Sequence, residues 1–243
     1  MFILTTIVDT VRIPPHMLAQ PTLVSVHSEM DKKYPNRVIM DVGLVVCRYG
    51  DALHLGDGVC VAGDGGAHHE IISKWLVFRP FVEEVCLGYI SKSTRDGISV
   101  SMGFFEDIYI PAYWMLRPSQ FEEDTGLWVW TPNYGEEGDG EPERFDMDVG
   151  AEIRFKVKSI NFTQVTNTAK GVQATTTTTS QSIATPRDQG PVRKRSTSID
   201  ISDSTMATPA SMHIVASICE DGLGLTSWWT AAADEDEEEE IGE

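Results

Sequence analysis

The spacing of hydrophobic and polar positions changes several times along the chain, and each change predicts an element. Residues 1–12, rich in Ile, Val and Thr, read as a β-strand that Pro14-Pro15 ends. From Pro21 to Tyr34 the spacing becomes helical. Leu23, Val26 and Met30 recur at three- and four-residue steps, Glu29, Asp31, Lys32 and Lys33 fall on the wet side, and Pro35-Asn36 stops the run. Val38 to Arg48 and Ala52 to Ala62 then predict two strands joined by Tyr49-Gly50-Asp51, and Ile71 to Phe78 predicts a third. One helix on a small antiparallel sheet makes a domain of residues 1–79, modest in core.

Arg79-Pro80 is the natural boundary. Beyond it, Val82 to Ser91 and Gly97 to Met102 read as strands, with Asp96-Gly97 as the turn signal between them. Phe104 to Ile110, Leu127 to Trp130, Ala151 to Ile160 and Met212 to Ile218 predict further strands, and Ala112 to Arg117 a short helix. Ala151 to Ile160 alternates cleanly, Ile153, Phe155 and Val157 on one face and Arg154, Lys156 and Lys158 on the other. About five such strands without a long helix suit a small closed barrel of OB type, and periodicity equally allows a β-sandwich. The fold class is therefore α+β, a helix-bearing antiparallel sheet followed by an all-β domain over residues 80–230.

Two stretches break the pattern. Residues 163–211 hold five consecutive threonines (Thr175 to Thr179), many serines and three prolines, and are expected to form a disordered insertion. Residues 231–243 are expected to form a disordered acidic tail, with the run Asp234 to Glu240 at its heart.

Charge refines this picture. The 243 residues carry a net charge of −18, but residues 163–212 are net +2 and residues 213–243 net −10. Phosphates repel such a chain as a whole, so any nucleic-acid contact must be local or supported by a basic neighbour. The basic face Arg154, Lys156 and Lys158 is one candidate for tracking an RNA backbone, joined by Lys92 and Arg95 if the barrel closes. Phe104, Phe105 and Tyr109 would offer stacking surfaces worth about 1–3 kcal/mol per base. Against this, alternating Lys and Arg also describe the solvated side of any strand, and aromatics describe a core.

Other candidates are weaker. The glycine-rich run ending in Gly63, Asp64, Gly65 and Gly66 lacks the Lys-Ser/Thr of a phosphate loop and reads as tight turns. His68-His69-Glu70 alternates across a strand with no second ligand cluster, so no metal site is expected, and no cofactor motif or catalytic constellation emerges. Cys47, Cys60, Cys86 and Cys219 have no metal or disulfide spacing and read as reduced thiols of the cytosol or nucleus. The apolar start is short, interrupted by Asp9, and reads as a strand rather than a membrane segment. Arg193-Lys194-Arg195 beside Ser196 and Ser198 forms a candidate phosphorylation site or a fragment of a nuclear-import signal.

The opening Met1-Phe2, Asp9-Thr10-Val11-Arg12-Ile13-Pro14-Pro15 and the junction Val77-Phe78-Arg79-Pro80-Phe81 with Glu84-Val85 and Gly88 resemble the large stalk subunits of archaeal and eukaryotic RNA polymerases. Leu23 to Tyr34, Lys92 to Met102 with Gly103-Phe104-Phe105, and Trp228-Trp229 resemble the RNA polymerase III branch. The resemblance implies a non-catalytic subunit of the nucleus with an N-terminal tip domain that docks on the polymerase core. In it, the loop at Gly63 to Gly66 lies at the end that faces the core. It also implies an OB domain, a heterodimer with the smaller stalk subunit, a role in initiation alongside initiation factors, and contact with nascent RNA. The competing reading is a free-standing OB-type RNA-binding factor, to which a docking domain would be superfluous.

Overall fold

The structure, a computed structural model, describes residues 1–132, 144–168, 171–180, 193–200 and 210–229. The chain divides into two compact units, Met1–Pro80 and Phe81–Glu243. No helix among the described residues is long and apolar enough to cross a membrane.

In the first unit β1 (Phe2–Ile13) is followed by α1 (Thr22–Lys33), β2 (Val38–Ile39), β3 (Gly43–Leu55), β4 (Val59–Cys60) and β5 (Ala67–Phe78). The sheet order is β1-β5-β3-β2, antiparallel throughout, with β4 on the end of β5. β1 and β5 pair along their whole lengths, from Phe2 opposite Phe78 to Ile13 opposite Ala67. α1 buries Val26 and Met30 against Val11, Ile13, Val45, Ile71, Trp75 and Val77, whereas Leu23 is exposed. The Trp75 indole donates to Ser73 Oγ at 2.8 Å, which satisfies its one polar atom inside the core.

The hairpin expected at Tyr49-Gly50-Asp51 is absent. β3 runs straight through it, pairing with β5 at Tyr49 and again at His54, and the intervening residues form a bulge with Gly50 at φ +70°. A turn signal in the sequence thus became a bulge because β5 is long enough to pair with both sides of it.

The second unit begins with β6 (Val85–Thr94), β7 (Gly97–Ser101) and β8 (Ile108–Pro111). A three-stranded sheet follows, β9 (Ser119–Glu122), β10 (Leu127–Trp130) and β11 (Phe145–Met147). The chain then forms β12 (Glu152–Thr168), β13 (Gly171–Ser180), β14 (Arg193–Asp200), β15 (Met212–Ser217) and β16 (Gly224–Leu225). Strands β6, β7, β8, β15 and β12 are hydrogen-bonded in that order, and β12 returns to β6, so the ring closes. The β8–β15 pair is parallel and the others antiparallel. This is a five-stranded barrel of OB type. Ile90, Ile98, Val100, Ile108, Ile110, Ile153, Phe155, Val157 and Ile214 are almost fully buried in it.

Three expectations need correction. The strand foreseen from Phe104 starts only at Ile108, because Gly103 at φ +83° and a hydrogen bond from Met102 N–H to the Phe105 carbonyl turn the chain first. The helix near Ala112 is a single 3-10 turn, Ala112–Trp114. And the polar insertion is not structureless where it is described. β12 continues to Thr168, Gly171–Ser180 pairs antiparallel with it, and Arg193–Asp200 pairs antiparallel with Gly171–Ser180 to extend the ribbon. Low hydrophobicity argued for disorder, but β-branched threonine favours strand, and β12 offers a long edge to pair with. Residues 133–143, an acidic and glycine-rich stretch of the sequence, and the tail at 231–243 lie outside the described residues.

Candidate functional site

The glycine loop of the first unit is built from its turns. Gly63 and Gly65 have φ of +88° and +68°, which only glycine adopts freely. Gly66 is there for space, since a Cβ on it would lie 2.8 Å from the Ile13 carbonyl oxygen. Asp64 is drawn back onto β1. Its carboxylate accepts hydrogen bonds from Arg12 Nε at 2.8 Å and lies 2.6 Å from His68 Nε2. The Arg12 guanidinium, then His68, hold the Asp64 carboxyl down at about 2. The loop is thereby fastened to the Arg12-Ile13-Pro14-Pro15 end of β1, and Gly65 sits over Pro15. Exposed Val59 and Val61 lie just before it in the chain, so this end presents a pinned turn with apolar residues nearby.

In the second unit β12 carries the basic stripe, and its alternation is as the pattern requires. Ile153, Phe155 and Val157 are wholly buried, while Arg154, Lys156 and Lys158 lie on the other face. The pairing of β12 with β15 skips Lys158, a bulge that leaves its residue without a cross-strand partner. Main-chain bonds between Glu83 and Glu84 and Val157 bring the entry to β6 alongside. Glu220 arrives from the segment after β15.

The result is a closed quartet. Lys156 Nζ lies 2.8 Å from Glu83 and 2.6 Å from Glu220. Lys158 Nζ lies 3.0 Å from Glu83 and 2.8 Å from Glu220, and sits 5.5 Å from the centre of the Trp114 ring. Hydrogen bonds to Glu220 and Glu83 raise the Lys156 ammonium above its ordinary value. For Lys158 burial pulls the other way and the same two carboxylates outweigh it. Glu220 is held low by Lys156 and Lys158. For Glu83 burial pushes upward, and the same two lysines outweigh it and hold the carboxyl low. Two lysines and two glutamates sum to no net charge, so two of the three cations of the expected RNA-tracking stripe are occupied by carboxylates of the chain itself. Arg154 donates to the Gly222 carbonyl at 3.3 Å.

The remaining sequence candidates are scattered. Arg95 makes a loose, largely exposed pair with Glu123 at 3.4 Å, and Lys92 is exposed without an ion pair among the described residues. Phe105 is buried in the core, Phe104 is exposed, and Tyr109 faces His213 at 6.4 Å between ring centres. His69 is buried on the Gly56 carbonyl while His68 turns to Asp64, and no group of metal-ligating side chains forms among the described residues. Ser196 and Ser198 lie on β14, opposite Thr177 and Thr175 of β13. Glu83, Glu220 and Trp114 were missed by the sequence reading. Their partners lie tens of residues away, and no local signal pairs them.

A small helix-bearing sheet followed in the chain by a closed five-stranded barrel is a combination that comparison with known proteins can test. The family model described as RNA polymerase III subunit Rpc25 matches residues 84–229, the whole barrel and its insertions. The chain belongs to this family. A second model, the SHS2 domain found in the N terminus of Rpb7p/Rpc25p/MJ0397, matches residues 8–65. The chain is 34% identical to DNA-directed RNA polymerase III subunit RPC8 of Bos taurus over 96% of its length and all of the relative's. It is 31% identical to the rpc8 subunit of Schizosaccharomyces pombe over 94% of its length and all of the relative's. DNA-directed RNA polymerase subunit Rpo7 of Saccharolobus solfataricus is 29% identical over 47% of this chain and 59% of its own. The two RPC8 relatives therefore align with this chain over both units.

Proposed function

We propose that the chain is a non-catalytic stalk subunit of DNA-directed RNA polymerase III, working in the nucleus. It pairs with the smaller stalk subunit, docks on the polymerase core and aids initiation together with initiation factors. The observation that carries this reading is near end-to-end similarity to relatives named as RNA polymerase III subunits, over both units. The pinned loop Gly63, Asp64, Gly65 and Gly66 is the part proposed to meet the core, since a surface held rigid before binding loses less entropy on docking. Contact with nascent RNA is secondary in this reading. It rests on Lys92, Arg95 and Arg154 more than on Lys156 and Lys158, whose charge Glu83 and Glu220 already cancel.

Affinity purification of the tagged full chain tests the assignment. RNA polymerase III core subunits and one small partner are expected at near-equal amounts, and recovery of the chain alone as a soluble monomer would overturn it. Docking is tested separately by Gly65→Asp, with Gly65→Asn as a control of the same shape and similar tolerance of positive φ. Loss of core subunits with the charged variant alone supports docking, and unchanged recovery with both rejects it.

A further inference from the structure

We propose that Arg193–Ser198 is a phosphorylation site for an Arg-directed serine/threonine kinase, with Ser196 the principal acceptor and Ser198 the second. Such kinases read cations just before the acceptor, because acidic side chains lining their cleft pair with them. Ser196 has Arg195, Lys194 and Arg193 at the three preceding positions, the sole run of three consecutive cations in the chain. Ser198 has Arg195 three residues before it.

Sequence alone does not single out this site, and the strand order does. Ser159 also has a cation three residues before it, Lys156, and another immediately before it, Lys158. But Ser159 lies within the barrel strand β12, paired with β13 at Ser180 and with β15 at Val215. Drawing it into a kinase cleft would open the barrel, and both lysines are held by Glu83 and Glu220. β14 is the terminal strand of its sheet and pairs with β13 alone among the described residues. It is already extended and, among the described residues, one of its main-chain edges carries no partner strand, the form in which a peptide segment adds to another protein's cleft. Releasing it breaks one ladder and leaves the five-stranded ring intact.

The step is an ordinary phosphoryl transfer. Ser196 Oγ forms a bond to the γ-phosphorus of ATP as the bond from that phosphorus to the β,γ-bridging oxygen breaks. ADP leaves with that electron pair, and the hydroxyl proton passes to the carboxylate base of the kinase. Each phosphate adds about −1.5 to −2 charge, so two of them cancel the three cations beside them. Residues 163–212, net +2 unmodified, then join the rest of the chain in being acidic.

The test treats the purified full chain with ATP and an Arg-directed kinase of the cyclic-nucleotide-dependent type, and locates phosphate by peptide fragmentation. Phosphate is expected on Ser196, with less on Ser198. Incorporation should fall at least about tenfold in S196A/S198A, and by about tenfold in R193A/R195A, as the loss of charge-assisted contacts requires. An acid-directed kinase serves as the control and should leave both serines bare. Phosphate on Ser159 or on Thr175 to Thr179, unchanged incorporation in the double serine variant, or equal labelling by the acid-directed kinase would each overturn the proposal. So would the absence of phosphate from Ser196 and Ser198 in cells under every growth state sampled.

Discussion

At the scale of single residues, two electrostatic knots hold distant parts of the chain together. Asp64 ionises at about 2 instead of its ordinary 3.8, because Arg12 and His68 stabilise the carboxylate in the folded protein. A carboxyl depressed in this way stabilises the fold above its unfolded value and loses that contribution as pH falls through the folded value. The stability difference between the wild-type chain and Asp64→Asn should therefore be full above about pH 4 and vanish towards pH 2, read as urea midpoints across that range. In the barrel, Glu83 and Glu220 occupy the lysines an RNA backbone would need. The double variant Glu83→Gln, Glu220→Gln should raise affinity for single-stranded RNA by about tenfold at low salt, with the gain fading as salt rises. Titration by fluorescence anisotropy at two salt concentrations checks this, and an unchanged affinity would mean that the stripe does not face RNA at all.

At the scale of elements, the barrel ring and the ribbon attached to it have separate jobs. The ring depends on side chains such as Phe155, which is wholly buried in β12. Phe155→Ala should cost about 3–5 kcal/mol and lower the thermal midpoint sharply. The ribbon supplies no strand to the ring. Removing residues 166–208 and joining the ends should leave the thermal midpoint within a few degrees of the parent, measured by circular dichroism. Both β12 and α1 could be read from spacing, because one face of each is dry and the other wet. The ribbon could not. Its threonines and serines are as compatible with a solvated coil as with a strand, and only the long edge of β12 decides between them.

For the whole molecule, charge and assembly are the relevant quantities. The tail at 231–243 carries eight acids and no base, close to half of the net −18. Truncating the chain after Trp229 should leave recovery of polymerase subunits unchanged, because the tail lies outside both family matches. The same truncation should speed association with any polyanion, by relieving a repulsion that salt screens. Co-purification and stopped-flow association rates read the two effects separately.

The sequence by itself determined the alternation of β12, the helical stripe of α1, the break at Arg79-Pro80 and the uneven spread of charge. These follow from neighbours one to four residues apart, where side-chain period and composition act directly. The tertiary structure decided which surfaces are chemically available. Lys158 meets Glu83 across 75 positions and Glu220 across 62, and Arg12 meets Asp64 across 52. Such pairs form only because the ring closes between β12 and β6 and because β1 lies along β5. A charge in the sequence is an offer of binding, and the fold determines whether the chain has already accepted it.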